Sequence, residues 1–338
     1  MKIDTGLLAA SLGDVPKAAK EAEALGFDGL WTAEAQHDPF LPLALAAEHT
    51  ERVELGTAIA VAFPRSPMVF AQIAWDLQAL SRGRFILGLG TQVKGHNERR
   101  FGVKWEHPGP KLREMIQMIH AIWDCWQNGT PPSFEGRFYN FTLMTPFFNP
   151  GPISYPKPKI FIAGVNQYMC RLAGELCDGF HVHPFHSIRY LDAVILPNIS
   201  AGLAKAGRKR SQIELSTSAF VVTGRNRDEL EAAKGPVKQQ IAFYASTPAY
   251  IGVLEVHGWG EVGRRLTDLS KRGKWAEMAN EITEEMLAEY AVVALRDELV
   301  DKLKAKYHGY LDRMSFYFPL SGSDAGFWRE VINALREA

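Results

Sequence analysis

Short apolar strands alternate with amphipathic helical segments along nearly all of this 338-residue chain. That alternation narrows the available folds more than any other feature, because two periods, near 2 and near 3.6, mark the two kinds of segment. Residues 2–8 read as a first strand. In residues 14–25, Val15, Ala18, Ala19, Ala22 and Leu25 fall at helical spacing, with Asp14 as the N-cap and Gly26 as the stop. Phe27 to Ala33 reads as a second strand, Val53 to Phe63 as a third and Arg84 to Gly90 as a fourth, with helices over Leu41 to His49 and Met68 to Leu80. Lys111 to Gln127 is the clearest helix: Leu112, Met115, Ile116, Ile119, Ile122, Trp123 and Trp126 recur at i, i+3, i+4 and i+7. Residues 133–157 are punctuated by proline and glycine and read as an insertion, with a small hairpin over Phe134 to Phe141. Strands follow at Lys159 to Ala163, Gly179 to Val182, Ile213 to Val222 and Arg313 to Phe318. The helices between and after them run from Asn166 to Leu176, from Tyr190 to Ala206, over most of 228–290, and through Phe327, Trp328, Val331, Ile332 and Leu335.

Eight strands, each followed by helical sequence, imply parallel pairing through right-handed crossovers. Eight such units in one chain of this length fit a single (β/α)8 TIM barrel over 1–338, with insertions near 133–157 and 247–290. A doubly wound open sheet is the alternative. In a closed barrel, function sits in the loops after the strands.

Composition removes several classes of function. The 38 basic and 38 acidic residues cancel, so the surplus of cations needed to grip phosphate backbones is missing. The patch Arg208-Lys209-Arg210 follows a helix end, where cations complement the helix dipole. Cys125, Cys170 and Cys177 match no zinc or thioredoxin spacing and fit a reducing compartment. Met1 leads directly into the first strand without a basic segment and apolar stretch, so no signal peptide is expected. No apolar run approaches the roughly 20 residues of a membrane span. The expected location is the cytoplasm. The expected partners are a small-molecule substrate and a second copy of the chain, with no nucleic acid and no membrane.

Six strand ends carry residues capable of chemistry. After the second strand come Glu34, His37 and Asp38; the imidazole could exchange protons near neutral pH, or Asp38 could simply cap the next helix. The third strand continues as Gly56-Thr57-Ala58-Ile59-Ala60, small enough for a planar ligand to lie against it, or for tight packing. The fourth ends Gly88-Leu89-Gly90-Thr91-Gln92, where glycines permit close backbone approach, but this is no dinucleotide fingerprint. The fifth ends Ala163-Gly164-Val165-Asn166 and opens a helix, whose first N–H groups could hold a phosphate or be capped by Asn166. The sixth ends His181-Val182-His183-Pro184-Phe185-His186; His181 and His183 share one face and could line a substrate pocket with Phe185 and Phe40. His-x-His is also a metal-ligand pattern, but no later strand end offers an obvious partner, and no metal site is expected. The seventh carries Ser216, Thr217 and Ser218.

Trp31-Thr32-Ala33-Glu34, His37, Leu55-Gly56-Thr57-Ala58-Ile59, Pro64-Arg65-Ser66-Pro67, Leu80-Ser81-Arg82-Gly83-Arg84-Phe85 and Leu87-Gly88-Leu89-Gly90 together resemble the bacterial luciferase-like flavin monooxygenase family. Lys159 to Gly164, Asp178-Gly179, Asp301, Asp312-Arg313 and Ser315-Phe316 extend the resemblance over nearly the whole chain. It is strongest to the branch that uses the deazaflavin coenzyme F420. The resemblance implies a (β/α)8 barrel with an insertion, and a ring lying over the third strand in front of a non-prolyl cis peptide at Ala58–Ile59. It implies a cofactor phosphate near Gly164 to Asn166, with Thr91 and Gln92 beside it. His37 would match the histidine near the reactive ring carbon, with Glu34 beside it. One departure counts against sugar-phosphate oxidation: Val93 stands where the deazaflavin sugar-phosphate dehydrogenase has its glutamate acid. The reading is an oxidoreductase passing hydride between F420 and a small, neutral, largely apolar substrate. Its rivals are a monooxygenase using FMN, a metal-dependent barrel hydrolase and a non-catalytic flavin-binding protein.

Overall fold

Eight parallel strands close on themselves in the computed structural model, which describes residues 1–7, 9–318 and 324–337. In chain order the strands are β1 (Lys2–Gly6), β2 (Gly29–Thr32), β3 (Glu54–Thr57), β4 (Ala60–Val61), β5 (Phe85–Gly90), β6 (Phe134–Glu135), β7 (Asn140–Phe141), β8 (Lys159–Gly164), β9 (Gly179–Val182), β10 (Glu214–Gly224), β11 (Ala291–Leu295) and β12 (Arg313–Phe316). The ring runs β1-β2-β3-β5-β8-β9-β10-β12 and back to β1. Helices cover it, so most strand positions are buried, and β5, FILGLG, is buried throughout and reads as an apolar run. This is the (β/α)8 barrel that the alternation implies. The insertion contains the expected hairpin, β6 against β7.

The structure departs from the sequence reading in identifiable places. The third strand is two pieces: β3 pairs β2 and β5, then the chain breaks at Ala58–Ile59 and β4 resumes against the far end of β5. β10 is longer than a barrel strand. Its first part pairs β9 and β12, and its last part, Phe220 to Gly224, rises past the barrel to pair β11. β11 lies just beyond the stretch read as helical; a five-residue apolar run cannot be assigned by periodicity alone. Asp14 stands at the helix start, but its carboxylate accepts from Ser11 Oγ at 2.8 Å and caps no N–H. A short helix over Lys94–Arg99 was not foreseen. The last strand ends at Phe316 rather than Phe318, and the first at Gly6, with Leu8 outside the described residues.

The interior is filled from the amino end of the strands upward. At the floor, Arg313 donates to Asp4 from Nε (2.6 Å) and Nη2 (3.0 Å) and to Glu54 (2.9 Å) and Glu214 (3.2 Å) from Nη1. Lys2 and Lys159 bridge the same two glutamates from the rim. Three cations thus face three carboxylates. Burial pushes the Glu54 and Glu214 carboxyls up, but Arg313 and the two lysines outweigh it and hold both below their ordinary value. Above this layer sit Trp31 and Phe161, with the Arg313 guanidinium 4.8 Å from the Trp31 ring. Gly56 makes room for that indole: a Cβ there would lie 2.3 Å from the ring.

Candidate active site at the barrel mouth

At the carboxyl end the inward positions turn small. Two residues beyond Trp31, Gly56 and Phe161 come Ala33, Ala58 and Ala163, of which Ala33 and Ala58 are exposed. β10 and β12 contribute Ser218 and Ser315, joined Oγ to Oγ at 2.6 Å and both partly accessible. The barrel is plugged at one end and open at the other.

The break in the third strand is held by hydrogen bonds on both sides. The Ala58–Ile59 peptide is cis, as the resemblance implies. Ala58 N–H donates to the Thr32 carbonyl at 2.7 Å, and the Ile59 carbonyl accepts from Glu34 N–H at 3.1 Å. Gly90 serves this arrangement rather than a ligand's approach. A Cβ on it would come within 2.7 Å of the Ile59 side chain. Thr91 and Gln92 follow, Gln92 in the left-handed region (φ 57°). The buried Asn97 amide donates to the Thr91 and Val93 carbonyls and fixes this turn.

The loop after β2 is anchored by an ion pair that sequence reasoning missed. Glu34 accepts both guanidinium branches of Arg65, at 2.8 and 3.0 Å, and Val61 N–H at 2.7 Å. Arg65 also reaches Asp38 at 2.9 Å. Burial pushes the Arg65 guanidinium down, but Glu34 and Asp38 raise it above its ordinary value. Glu34 therefore has its oxygens engaged and corrects the expectation of a second proton-exchanging group. Asp38 takes the N–H groups of Phe40 and Leu41, which is the capping role open to it. His37, between them, is exposed and hydrogen-bonds to nothing among the described residues. Phe40 is a core residue, 5% exposed and packed between Arg65 and Phe70, not a pocket wall. Beside this loop a cleft of about 390 Å³ opens between Phe63–Ser66 and the insertion, with Lys111 and Arg137 on its walls.

On the opposite side, Asn166 caps the helix Gln167–Leu176, its Oδ1 accepting Met169 N–H at 3.0 Å. The first-turn N–H groups of Gln167 and Tyr168 meet no protein acceptor among the described residues. Val165 is tied through its carbonyl to the Tyr190 hydroxyl at 2.7 Å. Gly164 is fixed by packing: a Cβ there would lie 2.4 Å from Met169 Cβ, so Gly164→Val would disturb folding before it reported on binding.

The two histidines of β9 face inward, as their shared side requires, but at different depths. His181 sits within the barrel, against Trp31 and Phe161, with Nδ1 2.7 Å from Ser216 Oγ. Burial, aided by Arg313, lowers its pKa to about 3. His183 stands at the mouth between Tyr244 and Tyr250, with ring centroids 4.6 and 4.5 Å away. Burial, then His186, lowers its pKa to about 3. The Tyr244 hydroxyl pairs with that of Tyr317 at 2.7 Å. These tyrosines come from distant segments, and no spacing along the chain connects them to β9. Phe185 is 1% exposed against Tyr290 and belongs to the core rather than the pocket. Among the described residues no three His, Cys, Asp or Glu side chains gather in a group that could hold a metal ion.

Residues 2–313 match the sequence profile of a family described as luciferase-like monooxygenase. An uncharacterized protein of Mycobacterium tuberculosis is 50% identical over 334 residues, 99% of this chain and 96% of its own length. A 5,10-methylenetetrahydromethanopterin reductase of Archaeoglobus fulgidus is 28% identical over 292 residues, 84% of this chain and 83% of that protein. Among solved structures, a coenzyme F420 dependent tetrahydromethanopterin reductase from Methanopyrus kandleri superposes with a TM-score of 0.78 at 19% identity, covering 99% of this chain and 98% of the other. That last likeness establishes the fold.

Proposed function

The chain belongs to the luciferase-like monooxygenase family, and on that premise we propose that it transfers a hydride between bound coenzyme F420 and a small organic substrate. The observation that carries the reading is the mouth itself: small, accessible residues where the next layer of side chains would otherwise close the barrel. A planar ring fits such a space, and the deazaflavin is favoured by the similarity to a 5,10-methylenetetrahydromethanopterin reductase over most of both chains, taken with the fold shared with a tetrahydromethanopterin reductase described as coenzyme F420 dependent.

When bound, the cofactor supplies hydride exchange at its ring. The residues of the chain supply position, proton transfer and shelter from water. Ala58 and Ile59 form the backing wall, held by Thr32 and Glu34. Gly90, Thr91 and Gln92 line the adjoining strand end. Ala163, Gly164, Val165 and Asn166 lead to the free N–H groups of Gln167 and Tyr168, a place for phosphate oxygens at a helix start. His37 exchanges a proton with the substrate; its exposure lets it re-equilibrate with solvent. Glu34 acts through Arg65 by holding the His37 loop, which makes it a positioning residue. The chain would work as one barrel domain and as a homodimer. A cytoplasmic setting suits its three buried, unpaired cysteines, and no described helix is long and apolar enough to cross a membrane.

A second reading, an FMN-dependent monooxygenase, is favoured by the family's own description. Turnover of a panel of neutral alcohols and ketones, followed through the absorbance of the deazaflavin with and without oxygen, separates the two. Oxygen-independent turnover is expected. Turnover that requires both reduced FMN and oxygen would replace the first reading with the second.

A further inference from the structure

We infer that His183 is the specificity-determining donor of the substrate pocket, its Nε2–H receiving an oxygen acceptor on a neutral, largely apolar substrate. The inference rests on the mouth being the active site.

Phe185 N–H donates to His183 Nδ1 at 3.1 Å. An N–H can only donate, so Nδ1 is the unprotonated nitrogen and the proton of the neutral ring sits on Nε2. Phe185 is buried and packed on Tyr290, so the backbone that sets this tautomer is rigid. The rest of the wall cannot satisfy Nε2. Tyr244 and Tyr250 meet the imidazole as ring contacts, and the Tyr244 hydroxyl is already shared with Tyr317. His181 and His186 each have an Nε2 that is fully buried without a partner, whereas the Nε2 of His183 reaches accessible space and has no protein partner among the described residues. A donor held at the open end of a barrel, without an acceptor of its own, is a recognition element for an oxygen.

The surroundings select the rest of the ligand. The ionisable groups that bear on His183 are few. His186 follows it on the same strand end and is pushed by burial, then by Lys306, to about 4, hence neutral. Tyr244 and Tyr250 face it from the segment after β10, and burial pushes both phenols up, so they too stay neutral. An anionic substrate placed here would lose its hydration without gaining a cation. A ketone, alcohol or ester oxygen loses little and gains the bond. The imidazole itself stays neutral at physiological pH, so it binds and orients without delivering a proton.

The test uses protein labelled with 15N-histidine, with and without bound deazaflavin, and cyclohexanone as probe with methylcyclohexane as its apolar control. The expected spectrum has His183 protonated on Nε2 and unchanged between about pH 5 and 8, outside the behaviour of an ordinary imidazole. Cyclohexanone shifts the Nε2–H resonance and methylcyclohexane does not. His183→Leu weakens cyclohexanone binding about ten-fold, the scale of one hydrogen bond left unmade, while His183→Gln, which keeps a donor, restores most of it. An Nδ1–H tautomer, an ordinary titration of His183, or cyclohexanone affinity equal in all three proteins would overturn the inference. The tautomer and its pH response are read without cofactor. A protein that failed to take up deazaflavin would therefore discredit the proposed function separately.

Discussion

The two ends of the barrel interior invite comparison because the same strands build both. At the floor, Asp4, Glu54, Glu214 and Arg313 occupy the first inward positions and leave hardly a donor or acceptor unpaired. Four residues beyond Glu54, Glu214 and Arg313 come Ala58, Ser218 and Tyr317, with Ala33 just past the end of β2. The floor satisfies its charges internally and can do no chemistry on a ligand. The mouth keeps free N–H groups, an accessible His183 and an exposed His37, and so can. On the proposed function, stability resides at one end and chemistry at the other, as barrels commonly arrange it.

The largest effect should come from breaking the floor. Arg313→Met would strand Asp4 in a buried site and should cost about 3–5 kcal/mol, measured by urea unfolding. A loss under about 1 kcal/mol would mean that the network is no more than a surface ion pair in effect.

The mouth should answer differently. His37→Ala should lower turnover by roughly 10²–10⁴-fold if the imidazole is the proton-exchanging group, with urea stability unchanged. Near wild-type turnover would return His37 to an ordinary loop residue.

Acid should attack the two ends in sequence. His181, His183 and His186 are held well below an ordinary imidazole by burial, so the unfolded chain binds more protons than the native one below about pH 6.5. Their contribution is complete above that value and declines as pH falls, for His186 toward about 4 and for His181 and His183 toward about 3. Glu54 and Glu214 sit below their ordinary value, so the floor's contribution persists until the pH drops under about 4.5. Thermal midpoints recorded across pH should fall in two stages. A flat profile down to about pH 5 would contradict the burial of the neutral imidazoles.

Asn166→Ala carries the smallest effect. As a helix cap it should cost about 1 kcal/mol and leave cofactor affinity within a few-fold. A large loss of affinity with unchanged stability would make the Asn166 side chain a ligand instead.

These contrasts also explain what the sequence could and could not reveal. The strand–helix alternation is a local signal, so the barrel was legible from it. The shared face of His181 and His183 followed from strand periodicity, though not their different depths, which depend on how strands stagger in the closed ring. The Glu34–Arg65 pair spans 31 residues and the Asp4–Arg313 pair 309, and no local pattern joins such partners. Phe40 and Phe185 were read as pocket walls because they follow strands, yet both point into the core. Gly90 was read as permitting a ligand's close approach, when the Ile59 side chain already fills that space. β11 stayed hidden because a short apolar run acquires its identity only from the β10 extension that pairs with it.

The central claim is that the open mouth holds a deazaflavin. Titrating the protein with coenzyme F420 and, separately, with FMN tests it most directly, with Arg313→Met, at a temperature where that variant remains folded, as the control for the floor. Stoichiometric F420 binding, tighter than FMN and unaltered by the floor substitution, is the predicted result. Binding of FMN alone, or of neither compound, would contradict the account.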